Sequence, residues 1–156
     1  MVDELFPASV EIIAEPGRYF AAECMTLASN IVSRRVKHSY INEKGDEVET
    51  TPSFMYYISD GLYGSMNMIF YDHAKPEPKV LFKQPSAADD ESKTHASTVF
   101  GPTCDSIDCI ITDHPLPELQ VGDWVFFANM GAYSKAAGSQ FNGFDLPKYV
   151  SSNYYF

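Results

Sequence analysis

The chain has 156 residues, of which 45% are hydrophobic and 21% are charged, so it is long enough and apolar enough for one folded domain. The formal net charge of −10 argues against nucleic acid as a partner, because phosphate backbones are bound by clustered Lys and Arg. No segment approaches the roughly 20 apolar residues of a membrane-spanning helix, so we expect no membrane partner.

The first half of the chain alternates apolar runs with turns rich in Pro and Gly. Residues 9–14 (SVEIIA) predict a strand that ends at an EPGR turn. Residues 19–36 predict a helical first half, followed by a strand over 26–38. Further along, the pattern predicts a polar hairpin loop at 41–53, a strand at 54–59, a Gly-punctuated turn at 60–65 and a second strand at 66–71.

The second half predicts more short strands, at 80–82, 96–100, 124–129 and 149–156, with 107–112 either a strand or a single turn. Loops are predicted at 75–78, 84–95 and 115–118, a short helix at 131–138, and a turn at the Asn142-Gly143 dipeptide. Many short strands separated by Gly and Pro turns indicate a mainly β fold, either a sandwich or a barrel.

The three cysteines are odd in number and irregularly spaced, which fits free thiols in a reducing cytosol and predicts a cytoplasmic protein. We interpret Cys24 and Cys109 as buried structural thiols. The four histidines are scattered singly, so we expect no metal site. The N-terminus lacks the basic segment and apolar run of a signal peptide.

Four segments together resemble the group IV pyridoxal-phosphate-dependent decarboxylases, which act on ornithine, arginine and diaminopimelate. They are EPGRYF at 15–20, YDHA at 71–74, FGPTCDSID at 100–108 and VGDWVFFANMGAYSKAAGSQFNGF at 121–144. Within that family, YDHA and the Cys104-Asp105 pair look like the ornithine type. The resemblance implies that residues 1–20 are the end of a cofactor-binding α/β barrel. Residues 21–156 would then form the C-terminal β-sandwich or Greek-key barrel domain.

The resemblance also implies a pyridoxal 5′-phosphate site at Glu15, Pro16, Gly17, Arg18 and Tyr133. A carboxylate at Glu15 would keep the pyridine nitrogen protonated, and the guanidinium of Arg18 suits the phosphate because it binds oxyanions in a bidentate way. Tyr133 would contact the same phosphate. The alternative is an ordinary Pro-Gly turn with a surface ion pair, and an aromatic side chain in the core or at a strand edge.

By the same resemblance, Cys104 is the candidate proton donor to the carbanion left by loss of carbon dioxide. A thiol, with an ordinary pKa near 8.5, can donate a proton at neutral pH. Tyr71, Asp72 and Asp105 would bind the distal ammonium of a diamino acid; the alternative is a buried thiol and ordinary turn-forming aspartates. Three further matched positions lie near the site or the subunit interface in this family: Tyr63, Asp108 and Phe141.

None of the eight lysines matches the family's Schiff-base lysine motif, so we expect the chain alone to be inactive. One hypothesis is therefore that the chain is part of an ornithine decarboxylase, which converts L-ornithine to putrescine as a homodimer. In it, Cys104, Asp105 and Asp72 act across the subunit interface. The other is a non-catalytic relative that regulates by binding, as antizyme inhibitors do, with antizyme contacting the absent barrel. The unpaired apolar strand at 9–14 predicts that the chain self-associates.

Overall fold

The computed structural model describes residues 2–85 and 93–151, and it is mainly β, with 36% strand and 14% helix. The predicted fold class is therefore confirmed. Three short helices and six strands follow in chain order. The helices are α1 (Val2–Leu5), α2 (Gly17–Ala21) and α3 (Met68–Tyr71); the strands are β1 (Leu27–Ile41), β2 (Glu47–Ile58), β3 (Lys79–Phe82), β4 (Thr94–Phe100), β5 (Cys109–Pro117) and β6 (Trp124–Phe127).

The strands form one six-stranded sheet in the order β3-β6-β1-β2-β4-β5, curled into a half-barrel. Strand β1 joins its two halves, because its start pairs with β6 and the rest pairs with β2. All neighbouring strands are antiparallel except β2 and β4. The segment before β1, the β4–β5 connection and the segments that follow β2 and β6 carry the residues of the candidate site.

The core lies on the inner face of this sheet, because side chains alternate between faces along each strand. Ile31, Tyr56, Ile58, Val125 and Phe127 are almost completely buried there. Burying side chains of this size contributes about 1.5–3 kcal/mol each. This core fixes the ends of β2 and β6, from which the functional segments extend.

The hydroxyl of Tyr56 lies at the edge of the core, next to the segment that follows β5. It accepts a hydrogen bond from the Leu119 backbone N–H at 3.0 Å. Burial raises the pKa of Tyr56 to about 12, so the hydroxyl stays protonated at neutral pH.

Most predicted strands are confirmed, including those near 26–38, 54–59, 80–82, 96–100 and 124–129. The helical stretch before β1 is also confirmed, as α2 and a 3-10 turn at Ala22–Cys24. Within 131–138 only a 3-10 turn at Lys135–Ala137 forms, so the short helix predicted there is confirmed only in part. The predicted loop at 84–95 lies partly outside the described residues, since 86–92 are not described.

The strand predicted at 9–14 is wrong, because these residues form no ladder with any described strand. A strand needs a neighbour for its backbone N–H and C=O groups. The side chains of Ile12 and Ile13 are exposed instead. This is the apolar surface on which the predicted self-association depends.

The strand predicted at 66–71 is a helix, α3, held by backbone bonds such as Asp72 N–H to the Met68 carbonyl at 2.9 Å. A short apolar run does not distinguish a buried helix from a strand. The consequence for the site is direct, because Tyr71 is the last residue of α3 and Asp72 follows it.

Two predicted loops are shorter than expected. Within 41–53, only the five residues between β1 and β2 form a turn, in which the side-chain carbonyl of Asn42 accepts bonds from the backbone N–H groups of Lys44 and Asp46. Within 115–118, Pro115 and Pro117 belong to β5, which tolerates them as an edge strand.

Residues 149–151 are not a strand, and the rest of the strand predicted there lies outside the described residues.

Across residues 2–85 and 93–151, no helix has both the length and the apolar character needed to cross a membrane.

Candidate catalytic and cofactor-binding site

Between β4 and β5 the chain forms a loop from Gly101 to Asp108, which we call the thiol loop, and a buried carboxylate holds it in place. The side chain of Asp108 is 1% exposed. Its Oδ2 accepts bonds from the backbone N–H of Thr103 at 3.0 Å and from the Thr103 hydroxyl at 2.7 Å. Its Oδ1 accepts the backbone N–H of Leu62 at 2.7 Å. Asp108 therefore ties the thiol loop to the turn that follows β2.

Two glycines make room for this buried carboxylate. A Cβ placed on Gly61 would lie 2.4 Å from Oδ1 of Asp108, and one placed on Gly101 would lie 2.2 Å from the same atom. Such distances are far below van der Waals contact, so a side chain at either position would expel the carboxylate. Glycine at positions 61 and 101 is thus required by the anchor itself.

The carboxylate of Asp105 faces an aromatic hydroxyl. Oδ2 of Asp105 accepts a hydrogen bond from the Tyr63 hydroxyl at 2.5 Å, and Oδ1 accepts the backbone N–H of Ile107 at 3.1 Å. The bond from Tyr63 lowers the pKa of Asp105 and, in return, raises the pKa of Tyr63 to about 12. The hydrogen bond thus favours the ionised form of Asp105, which is the form that binds cations.

Cys104 lies beside this carboxylate and its thiol is exposed. The Nδ2 amide of Asn142 donates a hydrogen bond to Sγ of Cys104 at 3.9 Å. The neighbouring Phe141 ring stacks on Tyr63, with centroids 4.1 Å apart and planes 25° apart. The interpretation of Cys104 as an accessible thiol therefore agrees with the structure, which does not bury it.

We expect the substitution Tyr63→Phe to raise the pKa of Asp105 toward its ordinary value of about 3.9. Because the pKa of Asp105 is lower in the folded state, this hydrogen bond stabilises the fold at a pH above the ordinary pKa. The contribution is lost as the pH falls through the lower, folded-state pKa. For Tyr63 the sign is opposite, so its contribution is full below about pH 10 and is lost toward about pH 12.

Carboxyl ¹³C titration by NMR measures this change directly. Tyr40→Phe is the matched control, since Tyr40 is an exposed residue of β1. An Asp105 titration curve that is identical in the wild type and in Tyr63→Phe would contradict the assignment.

A second cluster, which we call the phosphate cluster, joins residues that are distant in sequence. A guanidinium N–H of Arg18 donates to the Asp72 carboxylate, and the guanidinium carbon lies 4.8 Å from the centroid of the Tyr133 ring. A Cβ placed on Gly17 would lie 3.3 Å from the Tyr133 hydroxyl oxygen, so glycine permits this close approach. Three of the five predicted cofactor ligands, Gly17, Arg18 and Tyr133, are therefore in one place.

The donors of this cluster fit a phosphate group. A guanidinium and a phenol hydroxyl are both strong donors to phosphate oxygens, and both side chains are substantially exposed. Tyr133 has a positive φ of 54°, a conformation that is costly for an aromatic residue and is found mainly at functional sites. Pro16 precedes α2 directly, and Glu15, just before it, makes no hydrogen bond or ion pair within the described part of the chain.

Asp72 and Asp105 belong to different clusters. Asp72 is paired with Arg18 and Asp105 with Tyr63. Within one chain, the two carboxylates that the sequence assigns to one ammonium therefore have different partners. Tyr71, the third residue of that set, is exposed at the end of α3.

The side chain of Asn67, which sequence reasoning did not single out, links the segments that carry the two clusters. Its buried Nδ2 donates to the carbonyls of Gly64, at 2.7 Å, and Ser134, at 2.6 Å. These carbonyls follow Tyr63 and Tyr133 in the chain. A polar residue within a run of methionines is the signal that could have indicated a buried structural amide.

One cysteine prediction needs correction. Cys24 is exposed and not buried, because it ends the 3-10 turn before β1 and lies outside the sheet. Cys109 is partly buried at the start of β5, and burial raises the pKa of its thiol. Among the described residues, no three His, Cys, Asp or Glu side chains form a group that could hold a metal ion.

The chain is thus a curled sheet that carries a thiol-carboxylate pair on the thiol loop and an Arg-Tyr cluster formed by segments before β1 and after β6. Residues 18–131 match the family model described as "Pyridoxal-dependent decarboxylase, C-terminal sheet domain". The chain belongs to this family.

Two curated relatives show how similar the chain is to whole proteins. It is 46% identical over 155 residues to ornithine decarboxylase of Cricetulus griseus, covering 97% of this chain and 33% of the relative. It is 48% identical over 146 residues to antizyme inhibitor 2 of Xenopus laevis, covering 92% of this chain and 31% of the relative. The chain thus spans about a third of the length of these relatives.

The fold is also shared with solved structures. One is the lysine/ornithine decarboxylase of Vibrio vulnificus complexed with cadaverine, with a TM-score of 0.72 and 30% sequence identity. The match covers 97% of this chain and 36% of that chain.

Proposed function

We propose that the chain is the C-terminal part of a pyridoxal-phosphate-dependent ornithine decarboxylase, which converts L-ornithine to putrescine and carbon dioxide in the cytoplasm. The observation that carries this proposal is the Cys104-Asp105 pair. Its thiol is exposed, its carboxylate accepts a hydrogen bond from Tyr63, and both sit on a loop anchored by a buried carboxylate. The similarity to ornithine decarboxylase over nearly the whole chain supports the choice of substrate.

When bound, the cofactor supplies an electron sink for the carbanion that decarboxylation leaves. Arg18 and Tyr133 would hold its phosphate, with Gly17 leaving the space between them, and Glu15 would lie toward its ring nitrogen. In the chain as it stands, Arg18 is engaged by Asp72. If Arg18 held a phosphate instead, Asp72 would lose this partner and could bind another cation.

Asp72 and Asp105 would bind the distal ammonium of ornithine, with Tyr71 at the same end of the substrate. Two carboxylates around one cation favour a diamino acid over an apolar one. Cys104 would give its proton to the substrate carbon and be left as a thiolate. The Asn142 amide already faces that sulfur.

A homodimer would explain how Asp72 and Asp105, which belong to different clusters within one chain, act on one substrate. The phosphate cluster of one subunit would then meet the thiol loop of the other, so that Asp72 and Asp105 reach one ammonium from opposite sides. This refines the expectation that all three residues act from one chain on its neighbour. The α/β barrel that carries the Schiff-base lysine would complete each site, and without it we expect no turnover.

Complementation tests the proposal. The chain is mixed with a separately produced barrel polypeptide of a related decarboxylase, and release of ¹⁴CO₂ from carboxyl-labelled ornithine is measured. We expect activity only in the mixture, and only with pyridoxal phosphate. No release from the mixture, beside an active full-length relative, would contradict the proposal.

A second candidate is a non-catalytic, antizyme-inhibitor-like protein, which the 48% identity to antizyme inhibitor 2 favours. The retained Cys104-Asp105 pair speaks against it, because a binding protein has no chemical use for the thiol. The same mixture distinguishes the two, since an inhibitor-like assembly would bind antizyme in a sedimentation assay and release no carbon dioxide.

A further inference from the structure

The 3-10 turn at Phe141–Gly143 contacts both members of the thiol-carboxylate pair. Phe141 stacks on Tyr63, whose hydroxyl donates to Asp105, while Asn142 donates directly to Sγ of Cys104. One turn thus supports the carboxylate through an aromatic ring and the sulfur through an amide. The sequence analysis places Phe141 near the site or the subunit interface, but it treats Asn142 only as part of an Asn-Gly turn.

The backbone explains why the residue at this position is asparagine. Asn142 has φ 56° and ψ 19°, in the left-handed region, where Asn, Asp and Gly are tolerated best. Glycine would meet the backbone requirement equally well, but it has no side-chain donor. Aspartate would fit the backbone too, but it would place a negative charge beside the sulfur. Of these three, only asparagine combines the conformation with a neutral N–H donor.

We propose that Asn142 is a positioning residue for Cys104. Its amide orients the sulfur as an acceptor and stabilises the negative charge that remains there after the S–H bond breaks and the proton passes to the substrate carbon. The catalytic meaning of this role rests on the proposed function, but the contact itself does not. Hydrogen bonding to the charged form of a group favours that form.

The test uses the chain as it is and measures alkylation of Cys104 by iodoacetamide, with peptide mass spectrometry as the readout. Asn142→Gly removes the amide and keeps the backbone conformation, while Asn142→Asp replaces the donor with a carboxylate. Both variants leave unchanged the titratable side chains of Asp105, next to Cys104 in the chain, and of Tyr63, on which Cys104 acts electrostatically. Since the thiolate is the reactive form, the alkylation rate reports how well it is stabilised.

At neutral pH we expect Asn142→Gly to slow alkylation about two- to fivefold, which is the effect of one modest hydrogen bond. Asn142→Asp should slow it about tenfold or more, because like charges repel at this distance. At about pH 10.5, where a thiol is fully ionised, the rates should converge. Asn129→Gly is the matched control, since Asn129 also has a positive φ, of 59°, and is exposed.

Wild-type rates in both variants would overturn the proposal, and so would slowing of the same size at every pH, which would indicate changed access to the thiol. Alkylation of Cys24 and Cys109 in the same samples reports any general loosening. If Asn142→Gly fails to fold by circular dichroism, Asn142→Asp decides alone. A negative complementation assay would count against the decarboxylase assignment and leave this result standing, so the two failures are distinguishable.

Discussion

Replacing Cys104 by serine is expected to lower putrescine formation by about 10²- to 10⁴-fold in the complemented enzyme, the usual contribution of a positioned general acid. The hydroxyl is nearly the same size and can still accept the bond from Asn142, but it is a far weaker acid than a thiol. Putrescine and carbon dioxide should be measured separately. Proton delivery follows loss of carbon dioxide, so the yield of putrescine per carbon dioxide should fall as well.

The control is Cys24→Ser, which changes another exposed thiol outside the site. It should leave both products unchanged. Because Cys104 is itself exposed, Cys104→Ser should change the free energy of unfolding by no more than about 0.5 kcal/mol. Full activity of Cys104→Ser, or a loss of equal size in Cys24→Ser, would remove Cys104 from the proposed role.

The mainly β fold could be predicted from the sequence, because strand signals are local. Apolar and aromatic side chains mark β2 and β6 clearly, and nearby glycines mark the turns at their ends. The prediction failed where the outcome depends on neighbours. Residues 9–14 read as a strand but have no partner among the described strands, and the apolar run before Asp72 folds as α3.

Motif resemblance predicts which residues form the candidate site, but it does not predict how they pair in the structure. The sequence places Arg18 with a phosphate and Asp72 with an ammonium, whereas the structure pairs them with each other. An ion pair between residues 54 positions apart is set by tertiary packing and leaves no local signal. Asn142 was missed for a related reason, since its dipeptide fully explains a turn and gives no hint of a donor to Cys104.

The thiol loop itself depends on a group that never reaches the substrate. Asp108 accepts three hydrogen bonds in a buried site, from the Leu62 N–H and from the N–H and hydroxyl of Thr103. In Asp108→Asn one of the two acceptor oxygens becomes an NH₂ group that faces donors. Leaving buried donors unpaired costs about 1–3 kcal/mol each, so we expect the free energy of unfolding to fall by about 2–4 kcal/mol.

Urea denaturation of the chain measures this loss, with Glu49→Gln as the matched control, an exposed carboxylate on β2 changed in the same way. The control should stay within about 0.5 kcal/mol of the wild type, whereas a loss below about 1 kcal/mol in Asp108→Asn would contradict the anchoring role. Comparison with Cys104→Ser distinguishes a loss of proton donation from a loss of the hydrogen bonds that hold the thiol loop. Cys104→Ser should lose activity at full stability, while Asp108→Asn should lose both together, because the same three bonds that stabilise the loop also hold Cys104 and Asp105 where a partner subunit can use them.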